Sequence, residues 1–180
     1  MPLRISGNRL LQTPKGEISR PTLGRVREAV FNIWQGEVEG CRWLDLCTGS
    51  GSMGAEALCH GAASVTGIEQ SPKAIAVIEQ NWAKVGKPHQ GTRILRGNVV
   101  TRLPQLAGEQ FDLIYFDPPY ASNLYAKVLP LIISHQLLAE TGELAVEHGA
   151  RTPLQLPDGL TLRRCKQYGS TAVSFCYLTS

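Results

Sequence analysis

No stretch of this chain approaches the ~18 consecutive apolar residues that a membrane span needs, so no transmembrane helix is expected. The opening residues, Met1-Pro2-Leu3-Arg4-Ile5-Ser6, show no basic stretch running into an apolar one. No export signal is expected from them, and the cytoplasm is the expected location. The five cysteines, Cys41, Cys47, Cys59, Cys165 and Cys176, are odd in number and never stand in CxxC spacing. That argues against a disulfide framework and for reduced thiols, mostly in the core. Four scattered histidines give no zinc pattern, and no metal site is expected. Internal repeats, low-complexity tracts and linkers are absent too. What remains is an ordinary globular composition, 43% hydrophobic and 18% charged over 180 residues, enough for one domain with a sizeable core.

The formal charge of +3 is unevenly spread. Residues 1–27 hold Arg4, Arg9, Lys15, Arg20, Arg25 and Arg27 against Glu17, a net +5. The acidic middle, 28–162, is −5, and Arg163, Arg164 and Lys166 bring the last segment to +3. Basic ends around an acidic middle suit a polyanionic partner met by the ends. Solvated basic edges would give the same pattern.

Short apolar pieces around Ser6-Gly7-Asn8 predict a small hairpin in an N-terminal arm, 1–20, ahead of a main domain, 21–180. Pro21-Thr22 opens a helix that ends near Gly36. Strands then alternate with helices. Strands are expected at 43–46, 64–69, 93–95, 111–116 and 143–147, with helices at 53–60, from Pro72 to about Val85, and at 124–138. Segments 160–166 and 172–178, parted by Tyr168-Gly169-Ser170, read as an antiparallel hairpin. The sum is an α/β fold: a mostly parallel sheet, seven strands with the terminal hairpin, and helices on both faces.

Gly49, Gly51 and Gly54 form G-x-G-x-x-G in Asp45-Leu46-Cys47-Thr48-Gly49-Ser50-Gly51-Ser52-Met53-Gly54, between an expected strand and helix. Glycine there allows unusual dihedrals and close approach of a ligand to the backbone. Glu69, at the end of the second strand, is placed to accept hydrogen bonds from ribose hydroxyls. Together these point to a cofactor carrying adenosine. Asp45 narrows the choice: a carboxylate beside the loop repels a pyrophosphate and favours a cation. S-adenosylmethionine, a sulfonium with an ammonium and no phosphate, fits. Asn98 could reach the adenine edge or cap a helix.

The fourth strand ends in Asp117-Pro118-Pro119-Tyr120. Two prolines make a stiff loop without N–H donors, so it presents acceptors: the Asp117 carboxylate and the Pro118 carbonyl. An exocyclic base amine has two N–H donors. Accepting both aims the nitrogen lone pair at a methyl carbon for in-line displacement. Asp117 could then take the proton from the cationic product, and Tyr120 could stack on the flipped-out base.

Asp117-Pro118-Pro119-Tyr120 resembles motif IV of the amino-group methyltransferases that act on nucleic acids. Arg20-Pro21-Thr22 with Arg25-Val26-Arg27-Glu28-Ala29-Val30-Phe31-Asn32 resembles the N-terminal signature of the bacterial 16S ribosomal RNA guanine-N2 methyltransferase family. Gly54-Ala55-Glu56-Ala57-Leu58, Gly61-Ala62 and Lys166-Gln167-Tyr168-Gly169-Ser170-Thr171 resemble that family too. The resemblance covers essentially the whole chain. It implies a Rossmann-like class I methyltransferase fold, S-adenosylmethionine as donor, and a guanine of small-subunit rRNA as acceptor, in an assembled or assembling 30S particle. Cys47-Thr48 depart from the Phe-Ala common at that place. On this reading the cofactor residues are Asp45, Gly49, Ser50, Gly51, Gly54, Glu69, Asn98 and Thr22. Arg4, Arg9, Arg20, Arg25, Arg27, Arg163, Arg164 and Lys166 would grip RNA phosphates, with at most one of Arg25 and Arg27 facing the active site. A monomer is expected. The competing readings are a DNA adenine or cytosine amino-methyltransferase, a methyltransferase for a protein or small-molecule amine, and a silent RNA-binding module. Against the first, 180 residues leave little room for a target-recognition domain.

Overall fold

A computed structural model describes residues 3–14 and 21–179, with the backbone alone for 21–23. It has one seven-stranded sheet and one two-stranded sheet among these residues. β1 (Leu3–Ile5) and β2 (Arg9–Leu11) form the small antiparallel pair, joined by a 3-10 turn at Ser6–Asn8. Then come α1 (Pro21–Ile33), β3 (Arg42–Leu46), α2 (Ser52–Cys59), β4 (Ser64–Glu69), α3 (Pro72–Val85) and β5 (Gly91–Arg96). A short α4 (Val99–Arg102) and a 3-10 turn at Leu103–Leu106 lead to β6 (Phe111–Phe116). The chain finishes with α5 (Leu124–Ser134), β7 (Leu138–Gly149), β8 (Leu160–Tyr168) and β9 (Thr171–Leu178).

The large sheet runs β5-β4-β3-β6-β7-β9-β8. β3, β4, β5, β6 and β7 are parallel, while β9 is antiparallel to both β7 and β8. The expected hairpin is therefore present, with β9 inserted between β7 and the edge strand β8. Chain order reverses between β3 and β6, whose last residues, Leu46 and Phe116, are register partners. The Cys47–Gly54 loop and the Asp117–Tyr120 loop thus leave adjacent carboxyl ends, at the switch point where open α/β sheets form their crevice.

Period-2 alternation divides the core between the two faces. Trp43 and Tyr115 join Val30, Trp34, Leu58, Trp82 and Phe175 beneath α1, α2 and α3. Leu44, Leu46, Ile114 and Phe116 join Val99, Leu103, Leu129 and Ile132 beneath α4 and α5. On α3, Ser71 caps the N-terminus by accepting the Ala74 N–H, and Ala74, Ile78, Trp82 and Val85 are buried at helical spacing.

The N-terminal hairpin buries Leu3, Ile5 and Leu11 in the first of these clusters. Asn81 of α3 exchanges two 2.9 Å hydrogen bonds with the Gln12 backbone, and the Ser6 N–H donates to the Glu56 carboxylate. The boundary expected at residue 20 lies outside the described residues. Two expected helix ends need correction, and one element was missed. The last helix stops at Ser134, four residues early, because Leu137 and Leu138 lead into β7. α1 stops at Ile33 and turns to Gly36. α4 and its 3-10 continuation were not expected, since eight residues are too few to show helical periodicity. Among the described residues no helix is long and apolar enough to cross a membrane.

Candidate active site

The two loops at the switch point open onto one cavity of about 640 Å³. Its walls include Cys47, Gly49 and Glu69 on one side, and Asp117, Pro118, Pro119, Tyr120 and Glu147 on the other. Gly97, Asn98 and Val99 close it between them. Among the described residues, three carboxylates line it and no lysine or arginine does.

Of the loop's three glycines, Gly49 alone lines this space. It has φ +57 and open room where a side chain would stand, so a ligand can approach its backbone. Gly51 and Gly54 serve another purpose. A Cβ on Gly54 would lie 2.5 Å from the Trp82 ring, and one on Gly51 2.9 Å from Trp82 Nε1. The loop is folded around Trp82, whose Nε1–H donates to the Gly51 carbonyl at 2.8 Å. Ser50 faces α3, its carbonyl accepting from Asn81 Nδ2. These three residues shape the loop without forming the cavity wall.

Asp45 also lies behind the wall. Alternation along β3 turns it to the Trp43 side, where it is 2% exposed and accepts the Gly54 N–H at 3.2 Å. Burial pushes its pKa up to about 8, against the pull of the Gly54 N–H and with a further push from Glu69. It can therefore bear on the cavity only through charge and loop geometry, not by contact. Glu69 accepts the N–H groups of Gly49 (2.9 Å), Gln70 (2.9 Å) and Ser71 (2.8 Å). Three of a carboxylate's roughly four acceptor sites are then used, and one remains on Oε2 for a ligand hydroxyl. Asn98 caps α4, its Oδ1 accepting the Val100 N–H at 2.9 Å, while its amide NH₂ has no partner among the described residues. Both expected roles are thus open to it. Cys47 has φ +61, an uncommon conformation for a side-chain-bearing residue. Burial and then the charges of Glu69, Asp117 and Asp45 push its thiol up to about 12, so it stays protonated and is no nucleophile. The side chain of Thr22 lies outside the described residues.

At the other end, the Asp117 carboxylate makes no hydrogen bond to the described protein. Burial, followed by the charges of Glu147 and Asp45, pushes its pKa well above the usual carboxylate range. Tyr120 is 43% exposed, yet its hydroxyl is fixed by Glu147 Oε1 (2.6 Å) and Thr171 Oγ1 (2.9 Å). The ring is thereby held while its surface stays free for stacking.

Sequence reasoning passed over Glu147. It is 3% exposed at the carboxyl end of β7, and its other oxygen, Oε2, accepts the buried Tyr115 hydroxyl at 2.6 Å. The available signal was an acid at a strand end beside β6, the edge on which such sheets bind ligands.

The basic ends separate into two groups. Arg27 is not a surface cation. It is 5% exposed, its Nε is 3.2 Å from Glu56, and its guanidinium also donates to the Arg4 carbonyl, tying α1 to α2 and the hairpin. Arg4, Arg9, Arg25, Arg163, Arg164 and Lys166 are exposed, and Arg20 lies outside the described residues. Arg163 pairs with Glu143 at 3.4 Å and lies over the Tyr177 ring. Arg164 and Lys166 stand on the open edge strand β8, where charge also deters pairing with another strand.

A reversed parallel sheet with an inserted antiparallel strand, a glycine loop and an Asp-Pro-Pro-Tyr loop at its switch point defines a class I methyltransferase fold. The comparisons agree. Residues 4–177 match the family described as conserved hypothetical protein 95. Ribosomal RNA small subunit methyltransferase D of Escherichia coli is 30% identical, over 94% of this chain and 87% of its own. YlbH of Bacillus subtilis, which bears the provisional name of an rRNA methyltransferase, is 32% identical over 94% and 95%. The solved structure of Escherichia coli yhhF superposes with a TM-score of 0.86 at 27% identity, covering 100% of this chain and 99% of that one. The chain belongs to the conserved hypothetical protein 95 family, the family of these small-subunit rRNA methyltransferases.

Proposed function

We propose that this protein transfers a methyl group from S-adenosylmethionine to the N2 amine of a guanine in small-subunit rRNA, within an assembled or assembling 30S particle. One observation carries the reading: a cavity walled by Glu69, Asp117 and Glu147, with no cationic side chain among the described residues, whose acceptor loop lacks N–H groups at Pro118 and Pro119. Such a space suits a cation at one end and a donor-rich amine at the other. Burial and neighbouring carboxylates raise the pKa values of Asp45 and Asp117, and a sulfonium with an ammonium would offset that repulsion. The free acceptor site on Glu69 and the open side of Gly49 fit the ribose and the adenosine edge.

When bound, the cofactor supplies an electrophilic methyl on a good leaving centre. The chain's own residues do the rest. Asp117 and the Pro118 carbonyl accept the two amine hydrogens, which holds the nitrogen lone pair out of conjugation with the ring and fixes its direction. Tyr120, anchored through its hydroxyl, stacks on the base. Once the amine carries the methyl group it is cationic and acidic, and Asp117 takes its proton. Arg4, Arg9, Arg25, Arg164 and Lys166 contact phosphates, the cytoplasm is the setting, and the enzyme works as a monomer. The family's relatives named for small-subunit rRNA support the acceptor.

The test is mass mapping of small-subunit rRNA from a strain lacking the gene, with complementation by wild type and by Asp117→Ala. One methylated guanosine should lose its methyl group in the deletion and regain it with wild type alone. Unchanged rRNA methylation would defeat the proposal.

A further inference from the structure

Glu147 is an unusual residue to find in a cavity wall. It is almost wholly buried, and its partners are two neutral phenols, Tyr115 on Oε2 and Tyr120 on Oε1. Burying an anion against neutral groups is costly, and a structural clamp for two tyrosines would be served by an amide or a hydroxyl. The phenols leave about one acceptor site on each carboxylate oxygen, and the residue opens onto the cavity shared with Asp117, Pro118, Pro119 and Tyr120. β7 and β6 run side by side with Phe116 opposite Val146, so Glu147 and Asp117 are the next residues along neighbouring strands. The acceptor end therefore offers two carboxylates side by side, not one.

The Watson–Crick edges of the bases respond to this differently. Guanine presents its N2 amine beside N1–H, two donors in a row. Adenine presents N6 amine beside an N1 lone pair, and cytosine its N4 amine beside an N3 lone pair. A second anionic acceptor next to Asp117 fits the guanine edge and repels the other two.

We propose that Glu147 is the guanine-specifying residue: its carboxylate, held by Tyr115 and Tyr120, accepts N1–H while Asp117 and the Pro118 carbonyl accept the N2 hydrogens. This rests on the amine-methyltransferase reading above and adds the group that selects the base. It also explains why Tyr120 is anchored on that carboxylate. One side chain then fixes both the plane of the base, through the ring, and its edge.

The experiment uses small-subunit particles carrying guanosine or 2-aminopurine riboside at the methylated position. 2-Aminopurine keeps the 2-amine and lacks N1–H. Wild type should prefer guanosine by about 10–100-fold in kcat/KM, as expected when a donor–acceptor pair becomes two facing acceptors. Glu147→Gln should lose most activity on guanosine and gain on 2-aminopurine, because the glutamine amide can donate to N1. The fluorescence of 2-aminopurine supplies a binding readout free of turnover: it should titrate at lower protein concentration with Glu147→Gln than with wild type. Tyr115→Phe, which touches no base, is the second variant if Glu147→Gln does not fold. It should narrow the preference several-fold by loosening the carboxylate. Equal losses on both substrates, with unchanged 2-aminopurine binding, would show that Glu147 only props Tyr120 and would overturn the proposal. Wild type inactive on the guanosine particle would instead overturn the reading on which it rests.

Discussion

At the Gly49–Glu69 end of the cavity, each carboxylate is met by the main chain: Glu69 takes three backbone N–H groups and Asp45 takes one. At the Asp117–Glu147 end no backbone donor among the described residues serves a carboxylate. Glu147 is held by tyrosine hydroxyls from positions 27 and 32 residues earlier in the chain, and Asp117 by nothing among the described residues. The first end is a preformed socket that keeps its shape when empty. The second is a set of acceptors that the described residues leave partly unmet, which on the proposed function the substrate amine would meet. Substitutions should therefore act on affinity at one end and on turnover at the other.

The largest effect is expected at Asp117. Asp117→Ala should cut single-turnover methyl transfer by about 100–1,000-fold, as removal of a transition-state acceptor does elsewhere. Calorimetry should show cofactor binding almost unchanged. Asp117→Asn should be intermediate and limited in kcat more than in KM, since an amide oxygen still accepts but takes up no proton. A loss of cofactor affinity matching the loss of rate would erase the contrast between the two ends. Glu69→Ala should do the reverse, weakening cofactor binding by about 1–3 kcal/mol with a smaller effect on kcat.

Acidity sharpens the same contrast. With its folded pKa raised from 3.8 to about 8, Asp45 makes a contribution to the stability of the empty protein that is complete below pH ~4 and is lost as pH rises toward ~8. A bound cation favours the ionised form, so its affinity should rise over that window and level off above it. The ratio of S-adenosylmethionine to S-adenosylhomocysteine affinity should grow from pH 6 to 8, because only the former carries the sulfonium. A flat ratio would mean that Asp45 does not sense the ligand's charge.

Gly54→Ala tests whether the socket depends on Trp82. Its Cβ must displace the ring, and an overpacked site costs about 1–3 kcal/mol, or some 2–10 °C in melting temperature. The smallest effects belong to the surface. Replacing Arg4, Arg9, Arg164 and Lys166 with neutral residues should flatten the salt dependence of RNA binding without moving cofactor affinity. Arg27→Ala should lower thermal stability and leave that salt dependence as it was, because its charge is spent on Glu56.

The contrast also marks what could be read from residue order. The socket was legible because its parts are local. Glycine spacing, a strand before and a helix after, and an acid at the end of the next strand all lie between residues 45 and 69. The Asp-Pro-Pro-Tyr loop was legible for the same reason, since two prolines declare their own backbone. What the spacing did not disclose is the division of labour among the glycines, because Trp82 sits 28 residues beyond Gly54 and only packing brings its ring against that loop. Arg27 looked like its neighbour Arg25, since composition does not say which of two helical cations will meet a buried glutamate.

Residue order by itself determined the alternating strands and helices, the antiparallel hairpin at the end, and the two loops that carry the chemistry, because periodicity, glycine and proline act within a few residues. Only the tertiary structure decided which carboxylates share one cavity. The reversal between β3 and β6 sets the glycine loop beside Asp117, and the pairing of β7 with β6 sets Glu147 beside Asp117 on the other side. The raised pKa of Asp117 follows from that gathering: burial and the charges of Glu147 and Asp45 act on it only once the chain has closed around them.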